Sequence, residues 1–191
     1  MGGIMSIILQ GSTSGSITLQ EPAVSGSTVL SLPAVSGTIL TTGSSGQSIP
    51  KAALPTGSVL QVVNATYATD TTTTSTSYVA TGISASITPT SSTSKIFIVT
   101  TFPVYTNAAN LSGYFTLYRG ASNLFNSEGA FRQETSTQNL ICAGSISYFD
   151  SPATTSSTTY AVYFKSQTSG ITTRICLGNA TASITLLEIA S

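Results

Sequence analysis

The sequence predicts an all-β protein: an extended N-terminal segment built from strand repeats, followed by a jelly-roll-like β-sandwich. Three observations predict it. Charged residues make up 6% of the chain, against about 25% in typical soluble proteins, so helix-forming Glu, Lys and Arg are scarce. Roughly a third of the residues are Ser or Thr, which suits strands whose outer face need only be polar. From Ser58 onward, short runs of alternating apolar and polar residues are separated by Thr, Ser, Gly and Asn turns.

The N-terminal segment, 1–57, is organised around an eleven-residue repeat in three copies: SGSITLQEPAV (Ser14–Val24), SGSTVLSLPAV (Ser25–Val35) and a degenerate SGTILTTGSSG (Ser36–Gly46). Ile7–Gln10 echoes Ile17–Gln20, so SIILQGS reads as a frayed extra copy. Each copy holds a short strand, and in the first two it runs into Pro-Ala-Val-Ser-Gly, where Pro and Gly end the ladder and bend the chain. One such unit has too few apolar side chains to offset the entropy of ordering it. Burial of Ile17, Leu19, Leu30, Leu32 and Ile39 against neighbouring copies of the chain would supply the deficit. The other reading is a flexible Ser/Gly/Pro linker, although a linker has no reason to keep Leu and Val in register. Pro50 and Pro55 then stiffen a connector, with the domain boundary before Ser58.

Within 58–191 the strands are read in order. Val59–Tyr67 is a strand, Thr71 opens a loop, and a short strand follows at Tyr78–Ala80. Ile83–Pro89 alternates strictly, with Ile83, Ala85 and Ile87 on one face. Lys95–Tyr105 is apolar on both faces and should be buried on both, with Pro103 marking an exit or a bulge. Ser112–Gly120, Asn139–Phe149, Thr158–Ser166, Ile171–Gly178 and Ser183–Ala190 complete the set. Tyr160–Phe164 and Ile184–Ile189 are also apolar on both faces, and one sandwich core accounts for only one of them. Self-association, most simply threefold, would cover the other.

Several chemistries are excluded or disfavoured. There is no histidine, which removes Ser-His-Asp and Cys-His catalysis and imidazole metal sites. Net charge is zero with no basic stripe, so nucleic acid is not an expected partner. No apolar run reaches the length of a membrane span, and MGGIMSIIL is too short for a signal peptide. Cys142 shares a face with Leu140 and Ile146, whereas Cys176 falls in step with Thr172 and Arg174; opposite faces cannot bridge, so two free thiols are expected. No phosphate-binding Gly loop, metal-ligand cluster or cofactor motif is present, and the chain is read as no enzyme.

Charges gather in one stretch, Arg119–Gln138, which makes it the candidate receptor-facing loop. Glu128 and Arg132 are spaced for a helical turn with Ser127 as its cap, and Glu134 follows. Phe125 and Phe131 would stack on sugar rings if exposed, or else tuck back onto the core. Glu128 and Glu134, or either with Asp150, form a glycosidase pair only by default, since no spacing favours them.

On the stretches Ser6–Gly43, Gly57–Val99 and Ser183–Ser191, the chain resembles bacteriophage virion fibre proteins, in which such an N-terminal segment precedes a Ser/Thr-rich β domain. The resemblance implies a homotrimer assembled in the host cytoplasm, its N-terminus docked on tail or capsid proteins of the particle. Its C-terminal knob would face the host and its surface glycans. Tail fibre, head fibre and capsid decoration protein are all open under it.

Overall fold

The computed structural model describes residues 54–107, 111–134 and 140–191 in full, together with two strand segments at 6–10 and 16–20. The chain divides into two compact units, Met1–Gln47 and Ser48–Ser191. In the first, β1 (Ser6–Gln10) and β2 (Ser16–Gln20) pair antiparallel, with Ile7 opposite Leu19 and Leu9 opposite Ile17. The echo between these segments is thus the two arms of one ladder. The side chains of Ile17 and Leu19 lie outside the described residues, as do Leu30, Leu32 and Ile39 altogether.

The second unit is all-β, a sandwich of two antiparallel sheets. In one, β3 (Val59–Tyr67), β13 (Ala182–Ile189), β6 (Lys95–Thr106) and β10 (Leu140–Asp150) lie side by side, with β12 (Thr173–Ile175) and β4 (Thr71–Thr73) continuing from the far end of β6. In the other, β5 (Val79–Ile87), β11 (Thr158–Ser166) and β7 (Ser112–Arg119) are followed by β8 (Ser122–Asn123) and β9 (Phe131–Glu134), which share the free edge of β7. The orders β3-β13-β6-β10 and β5-β11-β7-β9 are those of a jelly roll, as expected. The connector feeds directly into it: Gly57 donates to the Ala190 carbonyl and Ala190 donates back to Ser58.

The core forms where the inward sides of the alternating strands meet. Ile83, Ala85 and Ile87 of β5, Val162 and Phe164 of β11 and Phe115 and Leu117 of β7 come from one sheet, Ile96, Ile98, Phe102 and Val104 of β6 and Ile184 and Leu186 of β13 from the other, and together they form one buried cluster. The period-two reading of Ile83–Ile87 therefore holds. What the sequence broke at Thr81-Gly82 is one continuous strand carrying a bulge opposite Val162, where the Thr81 hydroxyl donates to the Val162 carbonyl at 2.8 Å. Gly82, at φ 96°, is required there because a Cβ would come within 2.5 Å of the Tyr67 ring.

Two further expectations are corrected. β6 does not leave the sheet at Pro103, which sits opposite Ala143 with no break in register. The Pro103 carbonyl accepts from Cys176 N–H on the other side, so the missing proline N–H points toward the junction where β13 gives way to β12. No bond of the β6–β10 ladder is lost. Nor is β6 buried on both faces, since Phe97, Val99 and Tyr105 are only half-buried.

Cys176 departs from its expected polar face. Its backbone turns left-handed at φ 54°, breaking the alternation of β12 and carrying the thiol into the core. Both cysteines are free thiols, and burial pushes each pKa up.

One buried acid was not singled out from the sequence. Glu188 of β13 is fully buried and accepts from Gln61 Nε2 at 2.6 Å and from Thr90 N–H and Oγ1 at 2.7 Å each. Burial alone would raise its pKa, but the hydrogen bonds from Thr90 and Gln61 prevail and hold it below the ordinary 4.5. The folded chain then binds this proton less readily than the unfolded one. The resulting stability is complete above pH 4.5 and drains away as pH falls through the lowered folded value. Urea midpoints followed downward from neutral pH should drop in that window, and Glu188→Gln should flatten part of the drop while destabilising the protein by about 1–3 kcal/mol at pH 7. A Glu188→Gln profile parallel to the wild type would contradict this role.

Candidate functional site

The stretch Arg119–Gln138 does not form a loose excursion over its described part, 119–134. β8 and β9 stitch it to β7, and the Thr116 hydroxyl donates to Asn123 Oδ1 at 2.6 Å. The helical turn expected at Glu128–Arg132 is absent. Instead Asn126 Oδ1 accepts from Glu128 N–H at 2.9 Å, and Gly129 turns back at φ 78°. A Cβ on Gly129 would fall 2.4 Å from the Phe115 carbonyl oxygen, so the chain reverses here against the backbone of β7. Arg132 therefore enters β9. It pairs with Glu134 at 2.8 Å, donates to Ser112 Oγ at 2.9 Å and lies over the Tyr114 ring.

Glu128 and Glu134 are exposed, whereas both phenylalanines are half-buried against the core. Phe131 meets Phe102 edge-on and tilts against Phe115, and Phe125 meets Tyr148 edge-on with centroids 5.0 Å apart. Of the two outcomes expected for these rings, both pack against the core. Asp150 is likewise committed: Arg119 Nη1 reaches its two oxygens at 3.0 and 2.9 Å, and the buried Tyr160 hydroxyl donates to it at 2.6 Å. Among the described residues no cluster of three or more His, Cys, Asp or Glu side chains is placed to hold a metal ion.

A second aromatic group lies elsewhere, with Tyr114 buried and Tyr78, Tyr118 and Tyr163 half-buried. On the outer face of the five-stranded sheet, Tyr118 and Tyr163 stack at 4.0 Å, and Lys165 sits between the rings of Tyr78 and Tyr114 while donating to the Ser127 carbonyl. These groups satisfy one another, and burial pushes the Tyr78 hydroxyl pKa up to about 12. A cavity of about 400 Å³ lies at the other end of the sandwich, lined by Leu54, Leu60, Thr90, Ser94, Ala190 and Ser191.

No protein-family model matches this chain, and no curated protein matches it. Its own surfaces therefore carry the functional reading.

The least satisfied surface is the outer face of the six-stranded sheet. The register sets Val62 beside Leu187, Leu187 beside Phe97 and Phe97 beside Phe149, one apolar row across four strands. Val62 is 58% exposed and Phe149 55% exposed, with the Phe97 and Phe149 rings 5.9 Å apart. The next row, Asn64, Thr185, Val99 and Ser147, is mostly polar. The apolar row was legible only as strands greasy on both sides; its alignment comes from the register.

Proposed function

We propose that this chain is a non-enzymatic structural subunit of a bacteriophage particle, a homotrimeric tail fibre. Residues 1–57 attach it to the virion and the jelly roll is displayed toward the host surface. The observation that carries this reading is the row Val62–Leu187–Phe97–Phe149, which faces solvent in a single copy. Exposed apolar side chains aligned in a row mark an interaction surface, and repeated copies of one subunit are the simplest cover for it. The hydroxyl-rich, nearly uncharged surface around the row suits a subunit that meets its own kind, because no like charges oppose. The eleven-residue repeat supports the same reading, since its strands need neighbours to bury their few apolar side chains.

Light scattering on the full chain tests it. Val62→Glu places a carboxylate at the most exposed end of the apolar row and is expected to cut the solution mass to a third, with the fold intact by circular dichroism. Unchanged mass would count against the trimer. Deletion of residues 1–57 should leave a folded domain that is no longer incorporated into particles; incorporation at normal levels would refute the attachment role.

A further inference from the structure

We infer that β10 is a strand-pairing edge that takes the β10 of a second copy, antiparallel and about a two-fold axis through Ser145. Among the described residues β10 pairs only with β6, over its whole length and without a shift in register. Because the Pro103 backbone faces β12 and not β10, its partner Ala143 belongs to a pair that exchanges no bonds with β6. The same parity holds along the strand, so Ile141, Ala143, Ser145, Ser147 and Phe149 all direct N–H and C=O outward from the sheet. No hydrogen bond reaches those groups among the described residues.

Sheet edges are normally blunted by charge, proline, shortness or a covering segment. β9, on an edge of the other sheet, is four residues long and carries Arg132 and Glu134. Among the described residues β10 shows no such guard before its last residue, Asp150, which is turned into the sandwich and paired with Arg119. It runs eleven residues, and Leu140–Phe149 contains no charge and no proline. At its ends Gln133 Nε2 donates to the Leu140 carbonyl, which faces β6, and Arg119 reaches the Ser151 carbonyl just past the strand, so neither contact touches the outward groups of Ile141–Phe149.

The sequence of the open span fits itself. A two-fold axis at Ser145 sets Ile141 opposite Phe149, Ala143 opposite Ser147 and Ser145 opposite its own copy. Every one of these residues has its N–H and C=O turned outward, so each opposed pair can exchange both hydrogen bonds. Ile141 is 57% exposed and Phe149 is 55% exposed, and both stand on the outer face, where the pairing would join them as cross-strand apolar neighbours at each end. Small residues in between let the strands approach, and the absence of charge removes the repulsion a strand would otherwise have for itself. The two sheets become one, and the apolar row continues from Phe149 into Ile141 and Tyr105 of the second copy. Together with the proposed trimer, this pairing gives six copies.

The test is the solution mass of the full chain, by light scattering and native mass spectrometry, for wild type, Ser145→Lys and Ser145→Pro. Lys at this position meets its own charge directly across the axis. Proline deletes an outward donor while leaving the β6 ladder intact, as Pro103 does on its own side. Each variant is expected to halve the mass and to expose the amides of Ile141, Ala143, Ser147 and Phe149 to fast hydrogen exchange, with an unchanged circular dichroism spectrum. A wild-type mass that neither variant changes overturns the proposal. Protected amides in a wild type of unpaired mass overturn it too, since another segment of the chain would then cover the edge. Failure of the trimer reads differently, because Val62→Glu divides the mass by three where the Ser145 variants divide it by two.

Discussion

Phe115→Ala is expected to cost the sandwich about 3–5 kcal/mol, a large part of the roughly 5–15 kcal/mol that holds a domain of this kind together. Phe115 is fully buried and is the ring on which the aromatic core converges. Phe102 lies 5.3 Å from it, Phe131 5.6 Å and Phe164 6.3 Å, so both sheets and the β9 segment meet there. Stiff strands on either side cannot collapse into the space left by the ring, and the cavity term adds to the lost transfer energy. Thermal unfolding should fall by roughly 10–15 °C. Phe149→Ala, at a ring 55% exposed on the outer face, should hardly move the unfolding of an isolated copy. Equal losses for the two would mean that the core is not where the burial places it.

Asp150→Ala is expected to be nearly as damaging, at about 2–4 kcal/mol, for a different reason. The carboxylate neutralises Arg119 and accepts a hydrogen bond from the hydroxyl of Tyr160, whose side chain is fully buried. Burial, with Asp150 as hydrogen-bond acceptor and neighbouring charge, pushes the Tyr160 pKa well above its ordinary value, so the hydroxyl stays protonated and needs an acceptor. Removing the acid strands two donors at once, one of them inside the core. Adding Tyr160→Phe to Asp150→Ala should therefore restore part of the loss, a non-additivity readable in a double-mutant cycle from urea midpoints. Strict additivity would show that the hydroxyl and the carboxylate are not coupled.

Fold class and most strand positions were legible because jelly-roll strands with one face in water write a period of two into the chain. Val59–Tyr67 and Thr158–Ser166 have the bounds read from the sequence, and Ile83–Ile87 keeps the face its alternation gave it. Alternation failed where the backbone leaves the regular pleat. Thr81-Gly82 looks like a turn and is a bulge, and Cys176 looks outward-facing until its left-handed backbone turns it in. The Glu128–Arg132 spacing suits a helix, yet Asn126, Gly129 and the free edge of β7 offer the backbone better partners. Glu188 was hidden inside an apolar strand because its partners Gln61 and Thr90 are 127 and 98 residues away. The open edge of β10 was invisible for the same reason: whether a strand is central or peripheral depends on neighbours that no local pattern names.

The position of β13 between β3 and β6 has a consequence for biosynthesis. This strand fills an interior slot of the sheet, so without it β3 has no ladder partner and β6 keeps an open stretch of edge from Lys95 to Thr101. The jelly roll thus closes only after the ribosome has delivered residues 182–189, and every copy passes through a stage with that gap unfilled. Until then the slot can accept a strand of matching register from another chain, the geometry in which strand exchange between copies begins.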